Sequence, residues 1–208
     1  MSAGRGRLIV LEGGEGAGKS TQRQVVADWL QNRGRKVVLT REPGGTPLAE
    51  AIRELVLRRW PEGMDAATEA LLIFAARGAH LHRLVRPALA RGEDVVCDRF
   101  VDASYAYQGA ARGLGEERIA MLEKFTLEGL RPDLVLVLDL APELGLQRTR
   151  QRGEQNRFEA ETLEFMRKVR ETYLRRARVQ PDRYAVIDAS ADTATVSAAI
   201  VRELETRL

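Results

Sequence analysis

Gly13-Gly14-Glu15-Gly16-Ala17-Gly18-Lys19-Ser20 has the spacing G-x-x-x-x-G-K-S. The apolar run Leu8–Leu11 precedes it and a helical pattern from Ser20 follows, the context that a phosphate-binding P-loop requires. Glycines let successive backbone N–H groups turn toward one anion, and the helix adds its positive end. Lys19 would reach the β- and γ-phosphates of a nucleotide and Ser20 would hold Mg²⁺. The motif does not choose between an ATPase, a GTPase and a kinase. Glu15 puts a carboxylate beside phosphates, where repulsion makes it costly. It either points to solvent or accepts a hydrogen bond from a sugar hydroxyl of a second substrate.

Three further segments carry chemistry. In Thr40-Arg41-Glu42-Pro43-Gly44-Gly45-Thr46-Pro47 the Pro-Gly-Gly run forces a tight turn. Arg53, Arg58 and Arg59 follow it, and one of them could reach inward to an anion. Ile73 and Arg77 are four apart and share a helical face, with Phe74 beside them. The plainer reading is a core helix with one snorkelling Arg; the sharper one is an apolar platform for a nucleobase, with the Arg on a carbonyl oxygen. Asp98-Arg99 ends a strand-like run. Asp98 could bind Mg²⁺ or its water and Arg99 could clamp a phosphate, or the two form a surface ion pair. Ser104 and Gln108 set a hydroxyl and an amide on one helical face, and an amide serves both donor and acceptor edges of a base. Cys97 reads as a buried core residue without chemistry.

The elements that must position these groups alternate along the chain. Strand-length apolar runs lie at Leu8–Leu11, Val37–Thr40, Asp94–Cys97, Leu134–Leu138 and Tyr184–Ile187. Between and after them come helical patterns at Ser20–Arg33, Leu48–Arg58, Ala66–Arg91, Glu116–Leu130, Pro142–Arg152, Glu159–Val179 and Ala194–Leu208. Repeated βα units predict an α/β fold, a doubly wound five-stranded parallel sheet flanked by helices, with ligands outside the carboxyl ends of its strands. The 208 residues suit a single domain, 1–208. With 44 % apolar and 30 % charged residues the chain reads as soluble and globular. No apolar run approaches the roughly 18 residues of a membrane span. Met1–Arg7 lacks the apolar stretch of a signal peptide, and the single cysteine excludes an intrachain disulfide, so a cytoplasmic location is expected. The net charge is only +3. Arg is dense between Arg148 and Arg183, as coding bias, a solvated helix face or a phosphate tracker; nucleic-acid binding is permitted but not demanded.

Together the P-loop with Thr21, TREPGGT, Asp98-Arg99-Phe100, the SYAYQG run from Ser104 to Gly109 and the Arg-rich stretch 148–159 resemble thymidylate kinase, from about Leu8 to Leu204. The resemblance implies a P-loop NTPase fold with a lid at about 148–159. It implies transfer of the γ-phosphoryl of ATP to dTMP with Mg²⁺, giving dTDP and ADP for dTTP biosynthesis. The stretch Gly13–Thr21 would bind ATP, with Gly14, Gly16, Ala17 and Gly18 in the loop, and adenine would sit near Ala189–Asp192. Glu15 would meet the deoxyribose 3′-hydroxyl, Pro43 would line the thymine pocket, and Arg53 and Arg99 would hold the dTMP phosphate. Arg77 would bond a thymine carbonyl, with Ser104 and Gln108 at the base edge. Where the family stacks a Phe, this chain has Ile73, with Phe74 one step later, so either one is the platform; Ala103 stands where relatives often carry Ser. The P-loop holds no Arg, which resembles the bacterial type whose lid supplies the catalytic cation. Arg157 matches best, with Arg148 and Arg152 behind it. The resemblance also implies a homodimer, for which the apolar helix faces between Ala66 and Leu130 are the candidates, and no nucleic-acid or membrane partner. Another nucleoside monophosphate kinase, a DNA-binding P-loop ATPase and a non-catalytic nucleotide sensor are the competing readings.

Overall fold

The computed structural model describes residues 4–152, 158 and 161–208. Five parallel strands form one sheet in the order β2-β3-β1-β4-β5. These are β1 (Leu8–Gly13), β2 (Val37–Arg41), β3 (Asp94–Asp98), β4 (Leu134–Asp139) and β5 (Tyr184–Asp188). Around them lie α1 (Lys19–Gln31), α2 (Pro47–Leu57), α3 (Ala66–His80), α4 (Arg86–Ala90), α5 (Val101–Ser104), α6 (Glu116–Leu127), α7 (Pro142–Arg152), α8 (Leu163–Val179) and α9 (Thr193–Arg207).

The central strand explains the two layers. Leu8 and Val10 join one buried cluster, while Ile9 and Leu11 join the other. A strand covered on both faces therefore reads as an unbroken apolar run. Two carboxylates, buried Asp94 and exposed Asp133, set its register. Asp94 of β3 accepts from Arg7 N at 2.8 Å, and Asp133, just before β4, accepts from Leu8 N at 2.7 Å. Arg35, two residues before β2, grips Asp94 at 2.8 Å.

Each strand runs one or two residues past its expected end, through Gly13, Arg41, Asp98, Asp139 and Asp188. Backbone pairing is indifferent to side-chain polarity, so the ladder carries Arg41, Asp98, Asp139 and Asp188 to the sheet's carboxyl edge. The predicted single helix 66–91 is instead α3, a π-helical turn at Leu81–Val85 and α4. Pro87, which has no N–H to give the ladder, lies just beyond that turn. A second π-helical segment, Tyr105–Ala111, continues α5 and carries Gln108. Thr46, Asp65, Thr162 and Asp192 cap the starts of α2, α3, α8 and α9.

The Arg-rich face of α8 is laced to acids of the same chain. Arg167 meets Glu143 and Arg170 meets Asp139, both at 2.7 Å, Arg176 meets Asp102 at 2.5 Å, and Arg175 meets Glu116. Among the described residues no helix is long and apolar enough to cross a membrane. Truncating the fully buried Ile9 by Ile9→Ala should lower stability by about 2–5 kcal/mol. This would be read as a fall in urea midpoint at unchanged m.

Candidate active site

The glycines of the loop sit where side chains cannot. Gly13, with φ +143°, would push a Cβ to 2.6 Å from the Leu138 carbonyl oxygen. Gly16, with φ +72°, would push one to 2.4 Å from the Gly145 carbonyl oxygen of α7. Gly18 then caps α1 in the left-handed conformation. The loop thus lies backbone to backbone against the helix that leads to residues 153–157. Lys19 folds back over the loop, donating from Nζ to Gly13 O at 3.1 Å and Gly14 O at 2.8 Å. Burial pulls its ammonium below the usual range and Arg99 adds to this, partly offset by Asp98 and Glu15.

Two cavities open at the sheet's carboxyl edge. The first is lined by Glu15, Pro43, Arg53, Ile73, Arg77, Arg99, Ser104 and Gln108. Glu42, Phe100, Ala103, Tyr107 and Phe158 are also in its wall. The second is lined by the loop from Glu15 to Thr21 and by Asp98. Glu15, Glu42, Arg53 and Arg99 belong to both walls. Gly13 and Gly14, expected to bind ATP, are not in the wall of the second cavity; their carbonyls receive Lys19 and, at Gly13, Arg99. Ser20 and Asp98 face the second cavity together. Among the described residues no group of three or more His, Cys, Asp and Glu side chains forms a metal cage. A lone hydroxyl and carboxylate suit Mg²⁺, which keeps water and takes phosphate oxygens as its remaining ligands.

Arg99 is the residue the two cavities share most intimately. Its φ of +68° is uncommon for a residue with a side chain and marks strain held by the surroundings. Its N–H continues the β1 ladder to Leu11 O at 2.9 Å. The guanidinium donates to Gly13 O at 3.0 Å, Tyr173 Oη at 3.2 Å and Glu15 Oε1 at 2.7 Å. Its ion pair is therefore with Glu15 and not the surface pair with Asp98. Glu15 does not point to solvent; it accepts also from Tyr107 Oη at 3.0 Å. Burial would raise its carboxyl, but Arg99, Lys19 and the tyrosine bond outweigh this and hold it below the usual range. Beneath the loop Glu12, fully buried, accepts from Phe100 N at 2.8 Å and fastens α5 to β1. Burial, then Asp102, pushes its carboxyl up to about 7.

Arg77 is not a snorkelling residue. It is 1 % exposed. Its Nε donates to Glu42 Oε2 at 2.6 Å, and its Nη2 donates to Phe100 O at 3.0 Å and Ser104 Oγ at 3.1 Å. Nη1 has no hydrogen-bond partner among the described residues. Glu42, joined to Pro43 by a cis peptide bond, takes His80 Nδ1 on its other oxygen at 3.0 Å. Thr40 Oγ1 lies 2.7 Å from the far nitrogen of that ring. Ile73 lines the first cavity, whereas Phe74 is a core residue whose ring lies 4.5 Å from the Arg77 guanidinium. Of the two alternatives for the platform, Ile73 is thus the one at the cavity wall, and Phe74, one residue further round α3, packs in the core beside Arg77.

Of the lid candidates, Arg157 lies outside the described residues, as does the side chain of Arg152. Arg148 donates to Ala189 O at 3.0 Å and Ser190 O at 3.3 Å, beside the loop after β5. Sequence reasoning passed over Glu42, Tyr107, Phe158 and Glu12. Glu42, Tyr107 and Phe158 each lie in a motif, but the motif gives them no role, and that of Glu42 depends on partners 35 and 38 residues away.

The Glu42 cluster makes a pH prediction. Burial would raise the Glu42 carboxyl, but Arg77 and His80 overcome this and hold it below its ordinary 4.5. A carboxyl with a depressed folded pKa adds stability that is present above its unfolded pKa and is lost as pH falls through the folded value. Glu42→Gln should therefore cost about 3 kcal/mol at pH 7. The gap between the two proteins should narrow below pH 4.5, measured by denaturant unfolding across pH.

The geometry has counterparts among known proteins. The family model for thymidylate kinase matches residues 11–200. A thymidylate kinase of Pseudomonas syringae pv. tomato is 58 % identical over 195 residues, 94 % of this chain and 93 % of that protein. One from Chromohalobacter salexigens is 56 % identical over 205 residues, 98 % of this chain and 97 % of that protein. The crystal structure of thymidylate kinase from Ehrlichia chaffeensis superposes with a TM-score of 0.79 at 29 % identity, over 96 % of this chain and 99 % of that one. A match that runs through both cavities and along nearly the whole chain settles the kinship: this chain belongs to the thymidylate kinase family.

Proposed function

We propose that this chain transfers the γ-phosphoryl group of ATP to dTMP, giving dTDP and ADP for dTTP biosynthesis, as its family does. The observation that carries the residue assignments is the common wall. Glu15, Glu42, Arg53 and Arg99 separate a base-sized pocket from a phosphate cradle, so two nucleotides bound there would meet phosphate to phosphate.

In this reading thymine lies between Pro43 and Ile73, with its edge on Arg77, Ser104 and Gln108. The 3′-hydroxyl donates to Glu15, and Arg53 and Arg99 hold the dTMP phosphate. The loop from Gly13 to Thr21 wraps the ATP phosphates, with Lys19 swinging from Gly13 O and Gly14 O onto them. Adenine lies near Ala189–Asp192. Ser20 and Asp98 would hold Mg²⁺, which neutralises phosphate charge when bound. A dTMP phosphate oxygen attacks the γ-phosphorus in line while the bond to the β–γ bridging oxygen breaks. The attacking oxygen is already anionic, so no general base is required. Lys19, Arg99 and Arg157 share the spreading charge. Support for Arg157 is that its neighbour Phe158 lines the first cavity. We read 1–208 as one domain with its lid at 148–159, since strands from both ends of the chain build one sheet.

A homodimer completes the proposal. Leu71 of α3 and Met121 and Phe125 of α6 are exposed on packed neighbouring helices, Phe125 at 85 %. An apolar face of this kind is what a second copy covers.

The activity is tested by ADP release with ATP, Mg²⁺ and each nucleoside monophosphate in turn. Strong preference for dTMP is expected, with kcat falling about 10³-fold in Arg157→Ala. Preference for another monophosphate would refute the base pocket, and an unaffected variant would refute the lid cation. Phe125→Glu should shift the protein to monomer by light scattering; an unchanged mass would remove this face as the interface.

A further inference from the structure

Gln108 lines the first cavity with a side chain whose two ends are chemical opposites, an amide NH₂ that donates and a carbonyl that accepts. Which end meets a ligand is decided on its far side. There Gln108 Nε2 donates to Glu69 Oε1 at 2.6 Å. Glu69 projects from α3 and is 0 % exposed. A carboxylate only accepts, so it admits the NH₂ end of the amide and turns Oε1 away, toward the cavity. Glu69 is itself held: Arg112 Nε approaches its two oxygens at 3.3 and 3.5 Å. Arg112 is fixed in turn by an ion pair to Glu161 at 2.5 Å and by the Phe165 ring, 4.8 Å away.

The cavity therefore has an acceptor, Gln108 Oε1, in a wall it shares with Arg77, whose buried Nη1 keeps a donor without a partner among the described residues. We propose that Glu69 is a positioning residue that sets base specificity by locking the Gln108 amide. The inference rests on the dTMP reading of this pocket. Thymine presents an O4 acceptor next to an N3–H donor, which complements Arg77 and Gln108 as held. Cytosine reverses both, with an amino donor at C4 and an acceptor at N3, and would leave two buried polar groups opposed. Uracil shares thymine's edge and lacks only its methyl group.

Glu69→Gln tests this. Arg112 claims the new carbonyl, residue 69 then presents NH₂ to Gln108, and the Gln108 amide turns over. The ratio of kcat/KM for dTMP to that for dCMP should fall about tenfold or more. The ratio of dTMP to dUMP and the KM for ATP should stay as in the wild type. Equal losses with all three monophosphates, or unchanged ratios, would overturn the inference, since a purely structural role moves activity without moving ratios. If the variant does not fold, an atomic-resolution crystal structure of the wild type with dTMP decides the matter. Gln108 Nε2 on Glu69 supports the inference, and Oε1 on Glu69 refutes it. A wild type that does not use dTMP would sink the parent reading and this one together, whereas a dTMP-specific wild type with an unaltered Glu69→Gln ratio sinks this one alone.

Discussion

Lys19, Arg53 and Arg99 converge where the carboxyl ends of β1 and β3 meet, and like charges so close repel unless an anion lies among them. Two of the three cations are lowered, while Tyr107 and Glu15 raise Arg99 despite its burial. Burial, with Arg99 as the next cause, lowers Lys19; burial, with Arg41 next, lowers Arg53. Glu15 supplies the counter-charge, which is why a carboxylate tolerates a loop otherwise shaped for phosphate. Its partners Arg99 and Tyr107 come from β3's end and the π-helical segment, so the same charge balance joins three elements. Phosphates would relieve the repulsion further, and the protein meets them with its donors already gathered.

The base side is organised on the same principle with opposite economy. Here one buried anion, Glu42, collects a guanidinium and an imidazole, and every arm of Arg77 but one is engaged. Buried ion pairs add little net stability, because desolvation offsets attraction. What the Glu42 cluster provides is a fixed donor at the pocket wall, supported by the Phe74 ring beneath it. The loop's contact at Gly16 and Gly145 extends the arrangement to α7, since anything that moves the loop presses on that helix.

How much of this the sequence discloses depends on range. The P-loop is legible because its chemistry, its glycine conformations and its flanking strand and helix all lie within twenty residues. The five strands are legible because burial on both faces leaves an apolar run. Arg77 shows only a helical spacing, and spacing alone suggests a surface-reaching side chain; its burial depends on Glu42, 35 residues away. The choice between Ile73 and Phe74 turns on a rotation of one residue about α3, which no local pattern records. The π-helical segment around Gln108 is likewise unmarked, yet it sets which side chains reach the cavity. Arg157 is assigned by resemblance, and its chemistry lies outside the described residues.

The central claim is that the cations at the common wall are there for the acceptor's phosphate, with Arg99 as the clamp. Calorimetric titration of the wild type and Arg99→Ala with dTMP and with thymidine, which lacks the phosphate, tests it most directly. The account predicts that the variant loses dTMP affinity by about 100-fold, the cost of one buried charge-assisted contact, while thymidine, which meets Arg99 only through Glu15, loses far less. Equal losses for the two ligands would contradict it, because Arg99 would then serve the pocket's shape and not the phosphate.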